Sequence, residues 1–330
     1  MKSRILQWGI LSTARINQAL IKPLNVSPRN HLMAVASRDL ERARSYASEN
    51  GIARAYGSYE ALLADPEIDV VYISLPNSLH VEWTIKAADA GKHVLCEKPL
   101  AMRVEEVDAV AAAAKRNGVA VAEAFMYRHH PQTLKVQELI DSGAIGDLRL
   151  IRGGFTFYNR RPNNVRLDPG LGGGSIWDLG CYPISYARTV MGGAAPEEVM
   201  GWQIVGPTGV DISFFGQMRF GGDVYAQFDS GFQSTPRSPM EFVGSEGRIT
   251  LTQSFKPEED ARLYLHRDDR PVEVLQMGDD LLYLGEVEDL YDAAVAGRPQ
   301  RIPLSDSRLN VMTINALLQS AREGRSVRVG

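Results

Sequence analysis

The sequence predicts an α/β protein: a doubly wound parallel sheet over residues 1–124, then an α+β domain over 125–330 with a large, mainly antiparallel, open-faced sheet. Three observations predict it. The first 125 residues alternate short apolar runs with helical patterns, the rhythm of strand–helix–strand units. The second half has longer alternating stretches broken by Gly and Pro. A length of 330 residues suits about two domains of ordinary size.

The elements follow in order. Residues 5–11 form a first apolar run and 14–24 read as a helix. Residues 32–37 form a second run. Asp39 is the expected N-cap of a helix over 40–50, which Gly51 ends. Ser58 caps a short helix over 59–64. The continuous apolar run 69–75 suits a strand covered on both faces. A helix over 79–90 stops at Gly91, strand 93–96 follows, and an alanine-rich helix over 104–117 stops at Gly118 before strand 119–125. A helix over 134–142 then ends at Gly143. Strands are expected at 148–157, 199–205, 210–220, 223–230, 240–243 and 248–251, with Gly221-Gly222 as a hairpin turn. A last helix (306–323) and a short strand (327–329) close the chain.

Composition narrows the function classes. Apolar residues are 44% and charged residues 23%, which excludes a disordered chain. Net charge is −4 with no basic stripe, so no nucleic-acid partner is expected. No run of 18 or more apolar residues occurs, so no membrane span is expected. Lys2 and Arg4 ahead of residues 5–11 loosely resemble a leader peptide, but Gln7 interrupts the run and a first strand explains it better. Cys96 and Cys181 cannot make a disulfide scaffold, though two cysteines allow a single bridge; they point to a reducing compartment, the cytoplasm. The six histidines lack zinc-ligand spacing with the cysteines, so no metal is expected. His129-His130, after the domain crossover, is read either as facing an active-site cleft or as a linker pair.

Two places suggest a dinucleotide. The first strand runs into Gly9-Ile10-Leu11-Ser12-Thr13-Ala14-Arg15-Ile16 and a helix, whose N-terminal N–H groups and dipole suit a pyrophosphate. With a single glycine it is a poor fingerprint, and a turn without a ligand fits the motif equally well. The second strand ends at Ser37-Arg38-Asp39, with Arg42 one turn on. Arginine there suits a 2′-phosphate, which favours NADP(H) and leaves NAD(H) possible; Asp39 argues the other way unless it caps the helix.

Two further runs suggest catalysis. Glu97-Lys98-Pro99 stands at the C-terminal end of a buried strand, where ligands of open α/β sheets bind; an exposed ion pair is the plainer alternative. In Gly170-Leu171-Gly172-Gly173-Gly174-Ser175-Ile176-Trp177-Asp178-Leu179-Gly180-Cys181-Tyr182-Pro183, Asp178 and Tyr182 are i and i+4 and share a helix face. The glycines ahead of them admit a close approach.

Taken together, these runs resemble the glucose-fructose oxidoreductase / inositol dehydrogenase / rhizopine-catabolism family (Gfo/Idh/MocA), over nearly the whole chain. The resemblance rests on Glu97-Lys98-Pro99, on Leu75-Pro76-Asn77-Ser78-Leu79-His80, and on Gly172-Gly173-Gly174 with Asp178 and Tyr182. The Ser12-Thr13 start and Tyr182 look closest to the branch of dihydrodiol dehydrogenases, NADP-xylose dehydrogenases, anhydrofructose reductase and deoxysugar ketoreductases. The resemblance implies a Rossmann domain. It implies that residues 12–16 hold the pyrophosphate and that Ser37, Arg38 and Arg42 hold the 2′-phosphate. Leu75, Pro76, Asn77 and His80 would border the adenosine and nicotinamide ribose, and Glu97 and Lys98 would sit near that ribose and the substrate. Arg166 and Tyr283 match cofactor-contacting residues. Tyr182 stands where many members have His, and Val165 where related reductases have Trp. The family commonly dimerises through the sheet of its second domain.

Oxidising a carbinol moves a hydride from carbon and a proton from oxygen; the cofactor takes the hydride and the protein orients and handles the proton. A free tyrosine titrates near ~10 and a lysine near ~10.4, and a neighbouring ammonium favours the phenolate. Tyr182 is therefore the expected proton relay, with Lys98 as its electrostatic partner and Asp178 orienting Lys98 or a substrate hydroxyl. Sequence leaves the roles of Tyr182 and Lys98 exchangeable. The expected activity is hydride transfer between nicotinamide and a sugar or polyol, with a D-xylose or glucose 1-dehydrogenase the best single reading. A ketoreductase of nucleotide-linked deoxysugars and a trans-dihydrodiol dehydrogenase are the near alternatives. A non-catalytic NADP sensor is the alternative of another class.

Overall fold

The fold is taken from a computed structural model that describes residues 4–161, 164–257, 261–268, 270–278 and 281–330. In chain order it contains β1 Leu6–Leu11, α1 Asn17–Val26, β2 Asn30–Ala36, α2 Leu40–Asn50, β3 Arg54–Tyr56, α3 Tyr59–Leu63, β4 Val70–Ile73, α4 His80–Asp89, β5 His93–Glu97, α5 Val104–Asn117, β6 Val121–Ala124 and α6 Pro131–Asp141. Then come β7 Leu148–Tyr158, α7 Cys181–Val190, β8 Glu198–Val205, β9 Asp211–Phe220, β10 Val224–Gly231, β11 Gln233–Arg237, β12 Met240–Gly244, β13 Gly247–Leu251, β14 Arg262–Arg267 and β15 Glu273–Gln276. α8 Leu284–Ala296, α9 Leu304–Glu323 and β16 Val327–Arg328 follow.

The chain divides into two compact units, Met1–Met126 with Tyr283–Ser307, and Tyr127–Leu282 with Arg308–Gly330. The expected second domain ran unbroken from 125 to 330. Instead the chain returns to the first unit for residues 283–307. The reason is packing: α8 lies against α1 and β6, burying Glu286, Val287, Leu290 and Tyr291. Tyr291 Oη donates to the carbonyl of Arg4 at 2.8 Å, and Arg29 pairs with Glu288 and Asp292.

In the first unit six parallel strands take the order β3-β2-β1-β4-β5-β6. The central strands are sealed on both faces, as their apolar runs require: Val70, Val71, Tyr72 and Ile73 are all fully buried. Helix ends follow local chemistry. Asp39 accepts from the N–H groups of Glu41 and Arg42, Ser58 accepts from Ala61, and Gly51 and Gly118 take the left-handed C-terminal conformation. β3 was not anticipated: three half-buried residues give no periodic signal.

The second unit is a mixed sheet in the order β15-β14-β13-β12-β7-β10-β9-β8-β16, with β11 on β7. All its neighbours are antiparallel except β10 with β7. The hairpin at Gly221-Gly222 joins β9 to β10 as expected, with Gly222 at φ 73°. One face is covered by α7 and α9. A Cβ at Gly201 would lie 2.7 Å from the carbonyl of Leu317, so α9 approaches β8 at backbone distance. The other face carries Trp202, Ile204, Phe215 and Tyr225, each about half exposed. Among the described residues no helix is long and apolar enough to cross a membrane.

Candidate active site

The loop after β1 fits a pyrophosphate. α1 begins at Asn17, not at 14 as the periodicity suggested, because residues 14–16 form a turn. That leaves the N–H groups of Thr13, Arg15 and Ile16 without hydrogen-bond partners among the described residues, at the positive end of a helix. The loop is braced from below. Ser12 sits at φ 109°, its Oγ 2.8 Å from Ser74 Oγ and accepting from Ala14 N. Asn17 donates to the carbonyl of Ser12 and accepts from Ser74 Oγ at 2.6 Å. Gly9 also lies close to α3. A Cβ there would lie 2.7 Å from Leu62 Cδ2, so this glycine serves packing against α3.

At the end of β2, Ser37 is buried and accepts from Asp39 N. The Asp39 carboxylate is committed to capping α2. Arg38 and Arg42 are exposed and have no ion-pair partner among the described residues. Asp39 thus ceases to argue against a 2′-phosphate.

The ends of β4 and β5 carry the Glu-Lys-Pro run. Leu75 is buried, Pro76 and Asn77 are half-buried, and a 3₁₀ turn over Asn77–Leu79 leads into α4. Glu97 and Lys98 are half-buried and the Lys98–Pro99 peptide is cis. Tyr72 Oη donates to Glu97 Oε1 at 2.5 Å. Burial, then the charge of Glu97, pushes the Tyr72 phenol well up, so it stays a donor. Tyr283 and Glu286, from the returning segment, lie close enough to add to that effect. Glu286 is buried, with neither carboxylate oxygen hydrogen-bonded among the described residues, and burial with nearby Glu97 pushes its carboxyl well up. Sequence reasoning missed Glu286; its only signal was an apolar helical pattern that does not say which sheet the helix covers.

His80 lies between two backbone carbonyls. It is 1% exposed, and its ring nitrogens face two carbonyls: Nδ1 lies 2.7 Å from Pro99 O and Nε2 2.8 Å from Leu75 O. Burial is the largest influence on it and lowers its pKa; the two carbonyls oppose this, and the Lys98 charge adds to it. Cys96 is buried and its thiol pushed well up by that burial, which suits packing and not nucleophilic attack.

In the second unit, Asp178 lies in a π turn over Ile176–Gly180 that continues into α7, where Tyr182 stands. The Asp178 carboxylate accepts from Arg166 Nε at 2.5 Å, a pairing the sequence did not suggest. Arg166 also lies over the Phe157 ring, 5.6 Å from its centre. Tyr182 is 4% exposed, its ring centre 5.2–5.7 Å from those of Phe155, Phe255 and Tyr127. The glycine run approaches its own chain. A Cβ at Gly173 would meet the Arg166 carbonyl at 2.5 Å, and one at Gly174 (φ 125°) would meet Asp211 Oδ1 at 2.4 Å. Asp211 accepts from Ser175 Oγ at 2.6 Å and Ile176 N at 2.8 Å, so β9 anchors the start of the segment that carries Asp178 and Tyr182. His130 caps α6, accepting from Gln132 N. Among the described residues no group of three or more His, Cys, Asp or Glu could hold a metal ion.

A six-stranded parallel sheet in the order 3-2-1-4-5-6, with an open helix N-terminus after its first strand, defines a dinucleotide-binding domain. The chain belongs to the GFO/IDH/MocA oxidoreductases: residues 6–125 match the family's NAD-binding Rossmann domain and 133–250 one of its C-terminal domains. It is an NAD(P)-dependent oxidoreductase. It is 37% identical over 329 residues to D-xylose 1-dehydrogenase (NADP(+)) 2 of Haloferax volcanii, covering 98% of this chain and 99% of that one. It is 34% identical over 249 residues to a trans-1,2-dihydrobenzene-1,2-diol dehydrogenase of Xenopus tropicalis, 74% of each chain. Among solved structures it is similar to a 3-ketoreductase from Actinomadura kijaniata in complex with NADP and TDP-benzene, with TM-score 0.90, 28% identity and coverage of 96% and 98%.

Proposed function

We propose that the protein is an NADP-dependent dehydrogenase or reductase of a sugar or related polyol, with D-xylose or glucose oxidation at C1 as the reading best supported. Reduction of a nucleotide-linked deoxysugar ketone and oxidation of a trans-diol are the neighbouring readings, since relatives of this chain carry those names. One observation above all supports the catalytic assignment. The ketoreductase has been crystallised with a tyrosine changed to phenylalanine and with a lysine changed to alanine or glutamate. Those two residues are separated along that chain by the same number of positions as Lys98 and Tyr182 here.

Arg38 and Arg42 bind the 2′-phosphate, which is what two exposed guanidiniums beside Ser37, with no ion pair among the described residues, suit. The N–H groups at residues 13, 15 and 16 hold the pyrophosphate. Leu75, Pro76 and Asn77 border the ribose, with Glu97, Tyr283 and Arg166 also in contact with the dinucleotide. A bound nicotinamide supplies or accepts the hydride. Lys98 holds positive charge at the reacting oxygen. Tyr182 carries the proton at its phenol oxygen, with its ring held among Phe155, Phe255 and Tyr127. Asp178, paired with Arg166, fixes the segment that presents Tyr182.

The exposed face bearing Trp202, Ile204, Phe215 and Tyr225 is proposed as a homodimer contact, since four neighbouring large apolar side chains, each about half exposed, suit a partner surface. The two free thiols suit the reducing cytoplasm.

The test is a spectrophotometric screen of NADP reduction across aldoses, cyclic polyols and trans-diols. Turnover with an aldose is expected. Binding of NADPH with no turnover on any class would favour a sensor and end the enzymatic reading.

A further inference from the structure

The β ladder that fixes β5 ends at Glu97, paired with Ala124. Lys98 is the next residue, and Pro99 after it has no N–H to offer. Beyond the ladder, the next peptide unit along is held from two sides. The carbonyl of Pro99 faces His80 Nδ1 at 2.7 Å, and the N–H of Leu100 donates to Glu123 Oε1 at 2.9 Å. These are the two polar ends of a single peptide unit. His80 comes from α4 and Glu123 from β6, and they are 1% and 2% exposed. The other nitrogen of His80 faces the carbonyl of Leu75, so the segments following β4 and β5 share one imidazole.

We propose that His80 and Glu123 are positioning residues that clamp the Pro99–Leu100 peptide and thereby set the place of Lys98. The physical case is the choice of side chains. Apolar groups would fill both buried positions without the desolvation cost of an imidazole and a carboxylate. Buried polar groups hold geometry when their partners are directional, as these are. The imidazole also feels the Lys98 charge, which puts the ammonium within electrostatic reach of the clamp. A neutral imidazole has a single N–H, and the clamp uses the tautomer with hydrogen on Nδ1, which donates to the Pro99 carbonyl.

The inference rests on the reading of Lys98 as catalytic, so the test separates the two. Hydrogen exchange of the wild-type protein, resolved at Leu100, should show that amide protected about 100-fold over an open chain. Exchange at the open-chain rate would overturn the clamp whatever the variants do. In His80→Leu and Glu123→Ala, checked for folding by Tm, the rate of Lys98 modification by trinitrobenzenesulfonate should change about threefold or more as its surroundings shift. Lys86, Lys115 and Lys135 serve as internal controls. Glu123→Gln keeps an oxygen that can accept from Leu100 N and should restore the wild-type rate. Turnover of the aldose found in the screen should fall about 10-fold in the two disruptive variants, with KM for NADP within about twofold. Folded variants with unchanged Lys98 labelling and unchanged kcat would sink the proposal. Undiminished turnover in Lys98→Met would instead remove the catalytic reading, and the exchange and labelling results would still judge the clamp.

Discussion

Lys98 and Tyr182 come from different units of the chain, 98 directly after β5 and 182 in the first turn of α7. If they serve one reaction, each removal must be felt. Lys98→Met and Tyr182→Phe should each lower kcat about 100-fold or more, measured by NADP reduction. Near-normal rates in both would show the proton handled elsewhere. Cofactor choice belongs to Arg38 and Arg42. Arg38→Ala and Arg42→Ala should each weaken NADPH binding about tenfold while leaving NADH binding nearly unchanged, read by fluorescence titration. Equal losses for both dinucleotides would move the 2′-phosphate away from these residues. At this scale residue types were legible and their partners were not. Asp39 read as either ribose ligand or cap, and the structure makes it the cap. The glycines at 173 and 174 read as admitting a close approach, and what approaches is the Arg166 carbonyl and Asp211. His80 read as a ribose neighbour, and its ring nitrogens face two carbonyls. No spacing rule shows which atom a side chain will meet.

Elements were legible where local chemistry sets their limits. Helices α2 and α5 begin and end as expected, because Asp39 and the two glycines act within one turn of the boundary. β14 and β15 were missed, as was the polar, fully exposed β11; their pairing and not their side chains makes them strands. The segment bearing Tyr182 depends on an anchor from another element. Asp211 of β9 holds Ser175 and Ile176, and its carboxyl is raised to about 6, chiefly by burial, against a usual 3.8. The folded protein therefore holds a proton there that the unfolded chain releases between those two values. The stability this group contributes is full below about 3.8 and is lost as pH rises through about 6, by roughly 3 kcal/mol. Asp211→Asn does not titrate. Measured by denaturant unfolding, its stability relative to wild type should improve by roughly that amount between pH 4 and 7. A difference that stays constant across this range would locate the titration at another group.

For the molecule as a whole, family membership accounts for both sheets, but not for the half-exposed face of the second. Trp202 stands directly across from Phe215, with Ile204 two residues along β8 and Tyr225 on β10. Trp202→Asp should convert a dimer to a slower-sedimenting monomer in analytical ultracentrifugation. A wild-type protein that sediments as a monomer would rule out this role for the face.

The sequence by itself determined the class: strand–helix alternation, capping residues and the Glu97-Lys98-Pro99 and Asp178–Tyr182 runs act over a few residues, and short-range chemistry is written where it acts. The tertiary structure alone decided that residues 283–307 return to the first unit, that Glu286 is buried among other acids, and that His80 and Glu123 meet one peptide. These depend on contacts between segments far apart along the chain, and an amphipathic pattern states that a face will be covered without stating by what.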